Sequence, residues 1–264
     1  MTLATAIEPL LRLASYSLVL GGMLLWEHVS GAYPQHEKLK RWASNLSLAW
    51  FSTLCIRLFI PLGAVALAMK VQQQQFGLLQ SLPLPLNVAV SVLVLDLVIY
   101  WQHRAFHAFT PLWRIHATHH LDTELDASTG GRFHPIEYII SMLIKMLTVV
   151  MLGCAPVAVL AFEIILNASA IFNHANVRLP KMLKKLLSPW LVIPEVHRIH
   201  HSTKHGQMNS NFGFFLNWWD KLFDSFIHSE AAEAEVTKIG INKQNGRENR
   251  SLVKLLLFPF KYKP

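Results

Sequence analysis

Apolar residues along this chain come in long blocks, set apart by short polar and basic stretches, rather than being spread evenly. Residues 10–26 form a first, marginal block; 46–69 form a second that holds Arg57 and Pro61; 84–101 form a third, interrupted only by Asp96. A helix needs about 20 mainly apolar residues to cross the hydrocarbon core of a bilayer, and each block approaches that length. The fourth block, 138–172, would reach about 50 Å as one helix, too long for a single straight crossing. Gly153, Ala155 and Pro156 lie at its middle, where a turn is easiest. It reads as a helical hairpin with two rather short arms that dips in and returns. The expected fold is all-α, a multi-pass membrane helical bundle of three spans plus that hairpin.

Charge orients the bundle. The loop 31–45 carries Lys38, Lys40 and Arg41, which places it on the cytoplasmic side by the positive-inside bias. The stretch before the third block, QQQQFGLLQSLPLP, is nearly uncharged and suits the other side. Three regions follow: N-terminal spans and loops over 1–95, a catalytic region over 96–228 that includes the hairpin, and a basic C-terminal tail over 229–264. The first block lacks a basic n-region and a clear small-residue cleavage site, contains Arg12 and leads into the body of the chain, so it is expected to be a retained span.

Composition sharpens this picture. Of 264 residues, 52% are apolar and only 15% are charged, against about 25% charged in soluble domains. Neither a soluble enzyme nor a disordered chain, which needs low hydrophobicity, fits these values. The two cysteines, Cys55 and Cys154, both lie in apolar stretches, so neither a disulfide framework nor a cysteine metal site is expected. The net charge of +8 gathers beside the spans, as in Lys181, Lys184 and Lys185, and points to lipid headgroups. No basic tract interleaved with aromatics marks a nucleic-acid site.

Fourteen histidines are the unusual feature, and ten fall between residues 103 and 201. His103 and His107 stand in HRAFH, directly after the third block; His116, His119 and His120 stand in HATHH; His197, His200 and His201 stand in HRIHH. Two HxxHH copies arise by chance in roughly one chain in a thousand of this composition. On a helix, positions i, i+3 and i+4 share a face, while adjacent residues diverge by about 100°. One HxxHH segment therefore serves two neighbouring ions. Eight imidazoles exceed the four ligands that close a zinc site, so two ions with four or five histidines each is the natural count. The two boxes meet only if they lie on one side of the membrane, which again requires a hairpin at 138–172. His28, His36, His205 and His228 lie outside the boxes.

These residues resemble the fatty acid hydroxylase/sterol desaturase superfamily of integral-membrane, non-haem di-iron oxygenases. The resemblance rests on DLVIYWQHRAFH, LWRIHATHHLDTELDASTGGRFHPIE, FNHANVRLP, VHRIHHS and NFGFFLNWWDKLF, and covers roughly residues 96–226. It implies two iron ions (replaceable by zinc on purification), O2 as co-substrate, a membrane lipid as substrate and a histidine-rich cytoplasmic dimetal cap. It also adds His134, in RFHPIE, and His174, in FNHAN, to the ligand set. Leu121 after HATHH and the ending WWDKLFDSF depart from the family pattern without touching a ligand.

Several polar residues are candidates to support the ligands. Asp96, Tyr100, His103 and His107 share one helix face, and an ionisable group inside a span is a functional-site hypothesis; Asp96 is expected to accept a proton from a ligand imidazole. Glu137 orients His134 or caps the next helix. Asp122, Glu124 and Asp126 form a solvated acidic turn or support the ligands. Asn173, Asn176 and Asn211 bind a ligand or water, or serve turns. The aromatic residues Phe214 to Phe226 suit the membrane interface, and 181–193 reads as an amphipathic helix on anionic lipid.

The function expected is O2-dependent hydroxylation or desaturation of a lipid C–H bond. No HPGG haem segment and no flavin or ferredoxin motif is present, so electrons are expected from a separate donor protein. The alternatives are a dizinc membrane hydrolase, a metal-ion transporter and a bis-histidine haem protein. The nearly all-histidine ligand set argues against the first, and the position of the boxes at span ends against the second. The boxes themselves argue against the third. A bacterial inner membrane suits the chain better than the endoplasmic reticulum.

Overall fold

A computed structural model describes residues 3–228, 232, 236, 238–241 and 250–264. Among these, all regular structure is helical, and isolated bridges such as Gly31 with Val177 and Leu191 with Leu216 replace any sheet. The helices are α1 (Leu3–Ser30), α2 (Lys38–Phe59), α3 (Ala64–Gln73), α4 (Leu84–Ala108), α5 (Thr110–His120), α6 (Pro135–Leu152) and α7 (Pro156–His174). Then come the short α8 (Lys181–Leu187), α9 (Pro194–His200), α10 (His205–Met208) and α11 (Trp218–Leu222), and finally α12 (Leu252–Lys261). A 3-10 turn, Ala127–Gly131, separates α5 from α6.

Five stretches are long and apolar enough to cross a membrane: Ile7–Ser30, Lys38–Gln73, Leu84–Ala108, Pro135–Leu152 and Pro156–His174. The second is not one straight helix, as its apolar pattern suggested. Pro61 lacks the amide that would continue the ladder and disfavours helical geometry at Ile60 before it, so α2 ends at Phe59 and α3 begins after Gly63. The block 138–172 divides where expected. Gly153 adopts φ 67°, a left-handed cap that glycine tolerates without strain, and Pro156 opens α7 in its first turn. The arms are full-length helices, about 27 Å each. They hardly pack on one another, because α3 and α4 both lie against the two of them.

Asn87 seals the end of the bundle far from the histidines. Its Nδ2 donates to Leu79 O (3.0 Å) and Gly153 O (3.1 Å), and its Oδ1 accepts from Ala155 N (2.8 Å). Within the spans the buried Glu163 of α7 pairs with Lys145 of α6 and Arg12 of α1, which satisfies three charges that would be costly alone in hydrocarbon.

The histidine end is built on the segment 121–134. Arg41 of α2, 1% exposed, donates to Asp122 Oδ1 (3.1 Å) and Oδ2 (3.0 Å), to the Glu124 carbonyl, and pairs with Asp126 (2.8 Å). The acidic turn thus supports no boxed imidazole: Asp122 and Asp126 are buried on Arg41 and anchor α2 to the chain after α5, while Glu124 meets the exposed His36 ring at 3.0 Å. Burial alone would raise the Asp122 carboxyl, but Arg41 and Arg132 hold it below its usual value. Gly130 of the 3-10 turn rests on α7, where a Cβ would come within 2.5 Å of Ala170 O.

The stretch expected as a basic tail falls partly outside the described residues. Its last part is a docked helix: Leu255 and Phe258 of α12, with Tyr262 just after it, are buried with Leu48, Trp113, Ala117 and Leu121.

Gly130→Val should lower stability by about 1–3 kcal/mol, the usual cost of overpacking a close-packed site, because the atoms it meets are backbone. Gly22→Ala, in α1 with nothing within 4 Å of the added carbon, should be neutral or slightly stabilising. Thermal melts of both variants in detergent check the pair.

Candidate metal centre

The histidines sit on four helix segments that meet at one end of the bundle: the last turns of α4, the C-terminal half of α5, the end of α7, and α9 with the residue that follows it. α5 and α9 both start with a proline in the first turn, where its missing N–H costs nothing. The imidazoles divide into two groups. His103, His107, His116, His120 and His200 form one, and His119, His174, His197 and His201 form the other; within each, the ligand atoms all lie within 4.8 Å of one another.

Each HxxHH box is shared in the way helix geometry dictates. His116 and His120, one turn apart, enter the first group, and His119 between them enters the second. In the other box His197 and His201 enter the second group, and His200 enters the first. The two boxes interlock with opposite assignments, which brings the groups side by side.

The separations fit one ion per group. His174 Nε2 lies 3.0 Å from His119 Nε2, 3.0 Å from His197 Nε2 and 3.2 Å from His201 Nε2. In the first group His103 Nε2 and His116 Nε2 are 3.2 Å apart. With metal–nitrogen bonds of about 2.0–2.1 Å, neighbouring nitrogens in a tetrahedral or octahedral shell stand about 3.0–3.4 Å apart. Buried nitrogens of His107, His120 and His200 Nε2 have no hydrogen-bond partner, which normally costs about 1–3 kcal/mol for each such group. An ion would satisfy one nitrogen of each ring.

The outer nitrogens explain why the inner ones are free to bind. Nδ1–H of His103 donates to Phe212 O (2.7 Å), of His116 to Glu137 Oε1 (2.7 Å), of His119 to Arg132 O (3.2 Å), of His174 to Ala170 O (2.6 Å) and of His200 to Ser210 O (2.7 Å). With the proton held on Nδ1, the Nε2 lone pair points inward, the tautomer a metal requires. Protonation states agree. Burial, then neighbouring imidazoles, push His119, His120, His197 and His201 well below the ordinary histidine value, and burial takes His200 down to about 3. All five are neutral at pH 7.

Two carbonyls of one loop, Ser210 and Phe212, thus orient two ligands of the first group. Asn211 between them takes φ 53°. Its Nδ2 donates to Val196 O (3.1 Å) and Ile227 O (2.8 Å). Asp220, fully buried, accepts from Phe212 N (2.7 Å), Gly213 N (2.8 Å) and Ser225 Oγ (2.7 Å). Burial still pushes its carboxyl up to about 6.

Several sequence expectations are revised here. Asp96 does not touch an imidazole; its Oδ2 accepts from Leu216 N (3.2 Å) and Trp219 Nε1 (2.8 Å), because the 212–219 segment comes between it and the ligands. Tyr100 meets Ser225 Oγ (2.8 Å) and Arg104 (3.0 Å), so both residues act on the loop. Glu137 supports His116 rather than His134. Asn176 binds the backbone of Tyr33, and Asn173 Nδ2 donates to Phe214 O. His134 belongs to neither group: its Nδ1 accepts from Ile136 N (3.2 Å) and its Nε2 donates to Leu256 O (3.2 Å), so both nitrogens are occupied. Asp220 was missed; its one sequence signal is that it follows Trp218 and Trp219 as an acid among aromatics.

The groups have different surroundings. Rings of Trp113, Phe212 and Phe214 wall the first group. A cleft lined by Tyr33, Asn173, Asn176, Glu195 and Arg198 reaches His174 of the second.

Glu137→Gln should weaken metal binding in the five-histidine group by about 10–100-fold, as loss of such a partner usually does, and leave the four-histidine group loaded. His134→Ala should keep both equivalents of metal and lower only the melting temperature. Metal content after a timed chelator challenge separates the two. In metal-free protein the unfolded chain binds more protons than the folded one below about pH 6.5, because the buried imidazoles have lowered values. Melting temperature should therefore be level above that pH and fall progressively below it.

The fatty acid hydroxylase family profile matches residues 88–225, a stretch that holds all nine clustered histidines. Among curated proteins the chain is 28% identical to the ornithine lipid hydroxylase OlsE of Rhizobium tropici over 69% of this chain and 52% of that one. It is 24% identical to the lathosterol oxidase of Homo sapiens over 72% of this chain and 60% of that one. With the alkylglycerol monooxygenase of Xenopus tropicalis it shares 30% identity over 52% of this chain and 30% of that one. The chain thus spans about half to two thirds of the length of the first two relatives. No solved structure matches it. The histidine boxes, the helical bundle that carries them and the family match agree that this chain is an integral membrane protein belonging to the fatty acid hydroxylase family.

Proposed function

We propose that the protein is an O2-dependent oxidoreductase that hydroxylates or desaturates a C–H bond of a membrane lipid, with one iron ion in each histidine group. The observation that carries this reading is the pair of nearly all-imidazole groups, side by side at the ends of membrane-spanning helices. The named relatives act on an ornithine lipid, a sterol and an alkylglycerol, which supports a lipid substrate. When bound, the iron pair supplies the redox chemistry that splits O2 and oxidises an unreactive alkyl C–H bond.

The chain's own residues do the rest. The nine imidazoles would hold the ions without adding negative charge. Ser210 O, Phe212 O, Arg132 O, Ala170 O and Glu137 fix the tautomers before any metal arrives. Trp113, Phe212 and Phe214 exclude water from the first group and give an acyl or sterol chain an apolar wall. The cleft lined by Tyr33, Asn173, Asn176, Glu195 and Arg198 adjoins the second group at His174. Hydroxylation consumes one O2, two electrons and two protons and yields alcohol and water; desaturation takes the same inputs and yields alkene and two waters. The electrons come from a separate donor protein.

The site faces the cytoplasm in this reading. The site-side ends carry Lys38, Lys40, Arg104, Arg114, Lys181, Lys184 and Lys185, which agrees with the positive-inside bias. A bacterial inner membrane is the setting that suits it best.

Protein purified in mild detergent from iron-replete cells should contain about two irons per chain that are magnetically coupled in the Mössbauer spectrum. His120→Ala and His201→Ala should each lose about half the iron and all O2-dependent lipid oxidation. Two tightly held zincs, with no O2 uptake after iron reconstitution, would replace this reading with a hydrolase.

A further inference from the structure

The chain beyond the spans carries an apolar surface that the described residues leave open. None of the residues of α8 is buried. Met182, Leu186, Trp190 and Leu222 are each more than half exposed, and Trp218 is exposed beside them. α8 has three distinct faces, as its 3.6-residue period requires. Leu183 and Leu187 pack inward, Met182 and Leu186 point outward, and Lys181, Lys184 and Lys185 occupy the third side.

This surface is held firmly. The fully buried Asn217 donates from Nδ2 to Ser188 O (2.7 Å) and Leu191 O (2.9 Å), and its amide donates to Trp190 O (3.1 Å). Lys221 Nζ donates to Pro189 O (2.6 Å). These bonds staple the turn after α8 to α11 and bring the rings of Trp190 and Trp218 edge to face at 5.9 Å.

Its height is set by the spans. Leu183 and Leu187 share an apolar cluster with Trp26 of α1 and Phe172 of α7, close to where those helices end on the histidine side. Phe223, just after α11, packs on Trp101 at 4.8 Å near the same end of α4. Three spans therefore place α8 and α11 at the level where the bundle leaves the hydrocarbon.

We propose that α8, Trp190 and α11 form a platform that rests on an anionic lipid leaflet. Met182, Leu186, Trp190, Trp218 and Leu222 enter the boundary between acyl chains and headgroups, the depth that tryptophan favours. Lys181, Lys184, Lys185 and Lys221 meet the lipid phosphates. This assignment is independent of the reaction proposed above. It has a consequence for the metal centre: α11 carries Asp220, which clamps the loop whose carbonyls orient His103 and His200. Contact with the leaflet and ligand orientation then share one rigid segment.

The test uses the full chain in liposomes, with Cys55 replaced by Ala and nitroxide labels at Leu186→Cys, Leu222→Cys and Lys185→Cys. Labels at 186 and 222 should relax faster with oxygen than with a water-soluble nickel complex, and the label at 185 should show the reverse order. Nickel dominance at all three positions would mean the platform stands in water and would overturn the proposal. Poor access to both reagents with broadening between labels would mean that a second copy covers it, and would also overturn it. In liposomes containing phosphatidylglycerol, changing Lys181, Lys184 and Lys185 to Gln should make the label at 186 shallower, with no change in phosphatidylcholine alone. No such lipid dependence would remove the anionic part. Unlabelled protein gives an independent check: brominated lipids should quench its tryptophan emission more than that of the Trp190→Phe/Trp218→Phe variant. Equal quenching of the two would refute the platform.

Discussion

Nine imidazoles gathered at one end of a helical bundle set the terms for the rest of this structure. Within each group the closest inner nitrogens stand about 3 Å apart, an arrangement that is costly without an ion and useful with one. To keep it, the fold supplies an acceptor to five of the outer nitrogens and buries both groups. It also returns the chain to the same end of the bundle after every excursion. The α6–α7 excursion and its glycine turn follow from that last requirement, because HATHH precedes them and HRIHH follows.

The support for the ligands is mostly backbone. Four of the five acceptors are carbonyls, and only Glu137 is a side chain. Carbonyls are useful in this role only if their segments do not move, which explains the investment in buried polar groups around them. Arg41 with its carboxylates holds the segment that presents Arg132 O, and Asp220, Asn211, Asp96 and Tyr100 hold the loop that presents Ser210 O and Phe212 O. A buried carboxylate that accepts two amide protons fixes a loop more tightly than apolar packing does, since hydrogen bonds are directional.

Much of this was legible in the linear order of residues. The apolar blocks announced helices, the excess length of 138–172 announced a turn at Gly153, and HxxHH announced a segment that serves two neighbours. Other features were not. His134 carries the same side chain as the ligands, yet its ring is used by Ile136 N and by Leu256 O, a carbonyl more than a hundred residues away. Asp96 lies on the same helix face as His103, but a loop from the far end of the chain takes its hydrogen bonds. The break at Pro61 was visible as a residue type, and whether the helix would kink or stop there was not.

The sequence by itself determined what depends on one or two turns of helix: where helices form, which residues share a face, and that each box splits its histidines between two directions. Tertiary structure alone decided which direction meets which partner. It paired His200 with the α4 histidines and His119 with His174, chose the tautomers and left His134 outside. The physical reason is range. Helical periodicity acts between residues a few positions apart, whereas each of those decisions rests on a contact between segments that only the packed bundle brings together.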